Sequence, residues 1–106
     1  MRILFDHGTP RPLRAAFPDD VVEFAADRGW ERLRNGVLIA TAEGDGFEVL
    51  ITTDQSMPYQ QNLVGRRMAV VVLGRASWPH LPRVSVAVVT AVAAARPGTF
   101  TTVEVP

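Results

Sequence analysis

The heptapeptide RMAVVVL, residues 67–73, runs from Met68 to Leu73 without a polar residue. A half-buried strand alternates apolar and polar positions. A short, β-branched, uninterrupted apolar run instead reads as a strand covered on both faces, as in the interior of a parallel sheet. Both faces must then be covered by helices, so the rest of the chain should alternate strands with helical segments.

The flanking sequence has that rhythm. EVLITTD, 48–54, is a second β-branched strand and ends on Asp54, while RILF, 2–5, is a third that runs into Asp6. VVEFA, 21–25, is a shorter candidate, and TFTTVEV, 99–105, alternates like an edge strand. Between them, TPRPLRAAF, 9–17, reads as a brief helix introduced through Thr9 and Pro10. Residues 27–33 read as irregular or a single helical turn, because Gly29 interrupts them. NGVLIATAEGDGF starts on an N-cap signal at Asn35 and stops at Gly44 and Gly46. MPYQQN, 57–62, is a loop or short helical turn, and 78–98 is the longest helix, stopped by Pro97-Gly98. That helix is rich in Val, a modest helix former, so packing has to hold it. The expectation is a single α/β domain over residues 1–106, with a mostly parallel central sheet flanked by helices.

Composition narrows the function classes. Eleven basic and eleven acidic residues cancel, so no global field draws in nucleic acid or anionic lipid, and any such binding needs a local patch. Cys is absent, which excludes disulfides, thiolate metal sites and thiol catalysis. No apolar run approaches the roughly 20 residues of a membrane helix, and no secretion signal is evident, so a cytoplasmic protein is expected. There is no Walker loop and no dinucleotide-binding glycine pattern, and no Ser sits in a nucleophile elbow.

The chemistry-bearing candidates gather where strands give out. Asp6 follows one strand and Asp54 another, and ligands of open parallel sheets bind beyond the carboxyl ends of strands. Neighbouring strands lie about 4.7–4.9 Å apart, so the two carboxylates could share one hard cation, with oxygen ligands at about 2.0–2.1 Å for Mg²⁺. The plainer alternative is that each Asp only forms a turn or caps a helix. His7 is a candidate ligand or proton carrier, or simply a turn residue; His80 lies in a separate WPHLP context. Thr52 and Thr53 could bond a phosphate or order the carboxylate, and they equally suit a strand. In YQQN, 59–62, Tyr59 could stack on a base while Gln60 and its neighbouring amides bond base edges. Arg66 and Arg67, the only Arg pair, could contact a phosphate backbone. Trp78 and the Val-rich helix after it suit either an interface or the core.

Taken in order, RILFDHGTPRPL, LRNGVLIATAEGDGFEVLITTD and YQQNLVGRRMAVVVL resemble the small bacterial PIN-like domains of toxin–antitoxin pairs, a similarity that continues through SWPHL and VEVP. The resemblance implies a compact PIN-like α/β fold and cleavage of single-stranded RNA with one or two Mg²⁺ or Mn²⁺ ions. It also implies an antitoxin partner and, commonly, a homodimer. Asp6 corresponds to the first family acid and Asp54 to the acid of the T-T-D strand, with Asn35 as a neutral ligand or a helix cap. Val37 and Ser56 stand where similar proteins often carry further acids. The resemblance therefore implies either a ribonuclease working with a reduced acid set or a degenerate module that binds RNA or a protein without cutting. A small-ligand or nucleotide-binding protein using the same crevice is a third expectation.

Overall fold

The computed structural model describes residues 1–74 and 81–104. Its centre is the five-stranded sheet that the apolar runs predict, parallel at every pairing. The strands are β1 (Arg2–Phe5), β2 (Val21–Phe24), β3 (Val49–Thr52), β4 (Ala69–Leu73) and β5 (Phe100–Val103), in the order β2-β1-β3-β4-β5. All residues of β3 and β4 are buried, because helical segments cover both faces of these strands. Alternate side chains serve opposite layers. Ile3, Phe5, Val49, Ile51 and Val71 face one core, and Leu4, Leu50, Val70 and Val72 face the other.

The first core is closed by a 3₁₀ helix, η1 (Arg11–Ala16), and by α3 (Leu81–Ala94), through Leu13, Val84, Val88 and Val92. The second is closed by α1 (Asn35–Gly44) and the short α2 (Met57–Gln60), through Leu38, Ile39, Ala42 and Met57. A second 3₁₀ turn, Ala26–Arg28, ends at Gly29 with φ +75°, which accounts for the interruption expected there.

This layering gives the crossovers unequal hands. The chain passes from β1 to β2 over the η1 face, then moves the opposite way, to β3 and to β4, over the α1–α2 face. Reversing both direction and face preserves the hand, so these three connections agree. The β4–β5 connection keeps the direction but carries α3 on the η1 face, so its hand is opposite. Such exceptions are rare, about 2% of parallel crossovers. Here the exception covers a face on which η1, a 3₁₀ segment of six residues, buries only Leu13.

Several boundaries move for local physical reasons. Residue 9 does not open η1; the Thr9 hydroxyl instead donates to the Ile51 carbonyl at 3.0 Å and pins the loop to β3. α1 begins at Asn35, with Arg34 as its N-cap and no side-chain cap bond, so Asn35 is not the cap. β3 stops at Thr52, two residues short of Asp54. α3 ends at Ala94, ahead of Pro97, in keeping with the bias of pre-proline residues against helix. The expected helix start at 78–80, with Trp78 and His80, lies outside the described residues, as does the strand end at 105. Among the described residues no helix is long and apolar enough to cross a membrane.

At the β2 edge, Arg2 and Arg28 both bond Glu23, at 2.9 and 2.8 Å, and both reach Asp45. Their guanidinium groups also lie over Phe47 and Trp30, each 4.3 Å from the ring centroid. The pairs are partly exposed and individually weak, but they put charge on an edge strand that could otherwise pair with another sheet.

Candidate functional site at the carboxyl ends of the first and third strands

In the observed order the chain leaves β1 toward β2 on one side and returns to β3 on the other. The switch point thus falls between β1 and β3, where open parallel sheets place their ligands. Asp6 and Asp54 follow these two strands, so the adjacency required for a shared site is present.

The register explains how they are held. Phe5 pairs with Ile51, and the Asp6 N–H donates to the Ile51 carbonyl at 2.9 Å. That brings Asp6 alongside Thr52, whose hydroxyl donates to Asp6 Oδ2 at 2.8 Å. The same hydroxyl oxygen accepts the Asp54 N–H at 3.1 Å. Thr52 is fully buried, so one enclosed hydroxyl ties both aspartate segments together.

Each carboxylate has further partners. Asp6 Oδ1 accepts the His7 N–H at 2.7 Å. The turn after it closes through the Thr9 N–H on the Asp6 carbonyl at 3.1 Å, with Gly8 at φ +89°. A side chain at position 8 would also meet Thr53 Oγ1, 2.8 Å from an ideal Cβ, so this loop lies directly on Thr53. Asp54 Oδ2 accepts the Asn35 side-chain amide at 2.6 Å, and Oδ1 accepts both the N–H and the hydroxyl of Ser56. Asp54 therefore does form the turn that the plainer reading expected, and it is also clamped to the first turn of α1.

These bonds hold the Asp54 carboxyl below the usual carboxylate range, first through the Ser56 hydroxyl and then through the Asn35 amide, against a smaller opposing effect of burial. A carboxyl depressed in the folded state stabilises the fold above its unfolded pKa, and that contribution is lost as pH falls through the folded value. Asp54→Asn is accordingly expected to lose stability less steeply than the parent below about pH 4. Urea midpoints measured at neutral and acid pH check this.

The other candidates divide between the two ends of the sheet. Tyr59 and Gln60, on α2, follow directly from the Asp54 turn, and Tyr59 is 91% exposed. Gln61 lies against α1, where an ideal Cβ on Gly36 would come within 2.9 Å of its Oε1. The exposed His7 ring makes no hydrogen bond among the described residues. Arg66 and Arg67 are not brought to this site. They precede β4 and bond Glu43 near the C-terminus of α1, Arg66 at 3.4 Å through its guanidinium and Arg67 at 2.7 Å through its N–H. Both ends of that contact lie at the amino edge of the sheet, because the loop after α2 has carried the chain across it.

Of the roles expected for Thr52, ordering a carboxylate is the one it fills, although the carboxylate is that of Asp6 on the neighbouring strand. Ser56 is the residue whose role sequence reading missed, since it stands out only as an absent acid. A surface depression of about 440 Å³ is lined by Arg11, Pro12, Arg14 and Phe17 along η1, away from the two aspartates. It is an open groove beside an exposed helix.

Lone-pair capacity tests whether a hard cation fits. Two ionised carboxylates offer about eight acceptor positions. Among the described residues Asp6 uses two of them and Asp54 three, leaving both Asp6 oxygens and Asp54 Oδ2 able to coordinate. That suits one Mg²⁺, which keeps several waters and borrows substrate phosphates. No group of three or more His, Cys, Asp or Glu placed to hold a metal occurs among the described residues. Comparison of the chain with family models, curated proteins and solved structures gives no match in any of the three.

Proposed function

We propose that the chain is a PIN-like, metal-dependent ribonuclease of the toxin kind, acting on single-stranded RNA from the carboxyl edge of its sheet. The observation that carries this reading is the pair of aspartates flanking the β1–β3 switch point, joined through buried Thr52. Asp6 and Asp54 would hold one Mg²⁺ or Mn²⁺ ion, which when bound supplies an activated water and offsets charge on the phosphate.

The protein's own groups then have defined work. Thr52 fixes the Asp6 carboxylate, while Asn35 and Ser56 fix that of Asp54 and keep it ionised at neutral pH. Tyr59, almost wholly exposed beside the site, offers a face on which an unpaired base can stack. Thr53, His7 and Gln60 lie along the same edge as polar contacts for the strand.

A second reading has an observation of its own. With Val37 and Ser56 in place of further acids, no third carboxylate joins the pair among the described residues. A degenerate module that binds RNA or an antitoxin without cutting would leave the crevice in this state. Mn²⁺-dependent cleavage of single-stranded RNA separates the two. The nuclease reading expects Asp6→Asn to cost about 100-fold or more in rate, as losing a group that stabilises the transition state does. Equal rates for the two proteins would overturn it. Under the second reading, Val37→Glu creates Mn²⁺ binding that the parent lacks; Val37 is 53% exposed in the first turn of α1, so the longer side chain has room.

A further inference from the structure

Arg34 breaks the usual rule for the start of a helix. Ser, Thr, Asp and Asn are favoured at an N-cap because their side chains accept an orphan N–H, and the helix dipole favours negative charge there. α1 instead has Arg34 at its N-cap, with no side-chain cap bond and no acid in its first turn. The Arg34 carbonyl accepts the Leu38 N–H at 2.7 Å, so the backbone serves the helix while the charged side chain works against it. That side chain is exposed and pairs with no carboxylate among the described residues, whereas Arg2, Arg11, Arg28 and Arg66 all pair. Residues that break a local rule in a natural protein gather at functional sites.

We propose that Arg34 holds a backbone phosphate of the single-stranded RNA at the carboxyl edge of the sheet. The inference rests on the reading of that edge as one that takes RNA, and it applies whether the strand is cut or only bound. The next residue, Asn35, donates to Asp54 Oδ2 at 2.6 Å, and neighbouring Cα atoms are about 3.8 Å apart. Arg34 is therefore mounted at the rim of the aspartate crevice, with a long side chain to reach across it. Gln61 lies against Gly36 and links this turn of α1 to α2, which carries Tyr59. A strand with a base stacked on Tyr59 thus passes the aspartates with Arg34 beside them.

Charge gives the residue its work. One divalent ion cancels two ionised carboxylates, so the loaded pair adds no net charge to hold the rest of a polyanion. A guanidinium supplies that charge and forks onto two phosphate oxygens at once. Arg66 and Arg67, the cations that the sequence suggested for this contact, lie at the amino edge instead. A phosphate contact fixes the strand without reading its bases, so its loss should be felt equally by different sequences.

Fluorescence anisotropy of labelled oligouridylate and oligoadenylate, with divalent ions chelated, reads binding apart from cleavage. Arg34→Gln should weaken both about 10-fold. Losing one phosphate contact should also flatten the slope of log affinity against log salt by about 0.7. Arg34→Lys keeps the charge, so its slope should match the parent's. Arg67→Gln, at the far edge, should change neither quantity. Arg34→Asp gives α1 a favoured cap, so its urea midpoint should rise while its RNA affinity falls below that of Arg34→Gln. An Arg34→Gln protein with the parent's affinity and slope would overturn the inference, as would an equal loss in Arg67→Gln. So would an Arg34→Asp protein less stable than the parent, because position 34 would then serve the fold. If the Arg34 effects appear in a protein that cuts no RNA with Mn²⁺, this inference stands and the nuclease reading alone falls. A parent that binds neither oligonucleotide overturns both.

Discussion

Phe5→Ala is expected to lower the free energy of unfolding by about 3–5 kcal/mol, the usual cost of truncating a buried aromatic. Phe5 is 1% exposed and makes edge-to-face contacts with Phe17 at 6.3 Å and Phe24 at 5.4 Å. It therefore joins the end of η1 to the edge strand as well as filling the core. For a domain whose total stability is about 5–15 kcal/mol, that is a large share. The effect should reach the site too, since Asp6 is the next residue and depends on the β1–β3 register. Urea unfolding at constant slope measures the loss. A change below about 1 kcal/mol would mean that the neighbours collapse into the space left behind.

Thr52→Val is expected to cost about 1–3 kcal/mol, although it keeps shape and volume. It removes the donor to Asp6 Oδ2 and the acceptor of the Asp54 N–H together, where no side-chain surface reaches water. Thr52→Ser should recover most of the loss, since the hydroxyl remains. Under the nuclease reading the Val variant also binds Mn²⁺ more weakly than the Ser variant, because the two carboxylates lose their common anchor. Calorimetric titration of both proteins checks this apart from any activity. If Val and Ser behave alike, the hydroxyl bridge has no energetic role.

The parallel sheet was legible because strands covered on both faces leave uninterrupted apolar runs, as in 68–73. The meeting of Asp6 and Asp54 was legible only conditionally. Strand ends can be read locally, but β1 and β3 become neighbours through the path of the whole chain. Asn35 shows the limit from another side. The same residue type that caps helices is drawn off by Asp54, 19 residues away, and a local pattern carries no sign of that competition. Arg66 and Arg67 mislead for a related reason. They lie close in sequence to Tyr59, but the crossover in between spans the sheet from edge to edge. That Thr52 could order a carboxylate was legible beside Asp54, but its reach to Asp6 depends on register, which β-branched composition does not encode.

The reversed hand of the last crossover bears on how the chain can be made. During synthesis, β1 through β4 emerge with α1 and α2 ready to cover one face, while the other has only η1. Ile3, Phe5, Ile51 and Val71 stay open on that side until α3 has been added. Domains generally fold as units as they leave the ribosome, at about 5–20 residues per second. A pause before residues 81–103 would hold a sticky half-sheet in solution, so factors that shield nascent chains should matter most for this final segment.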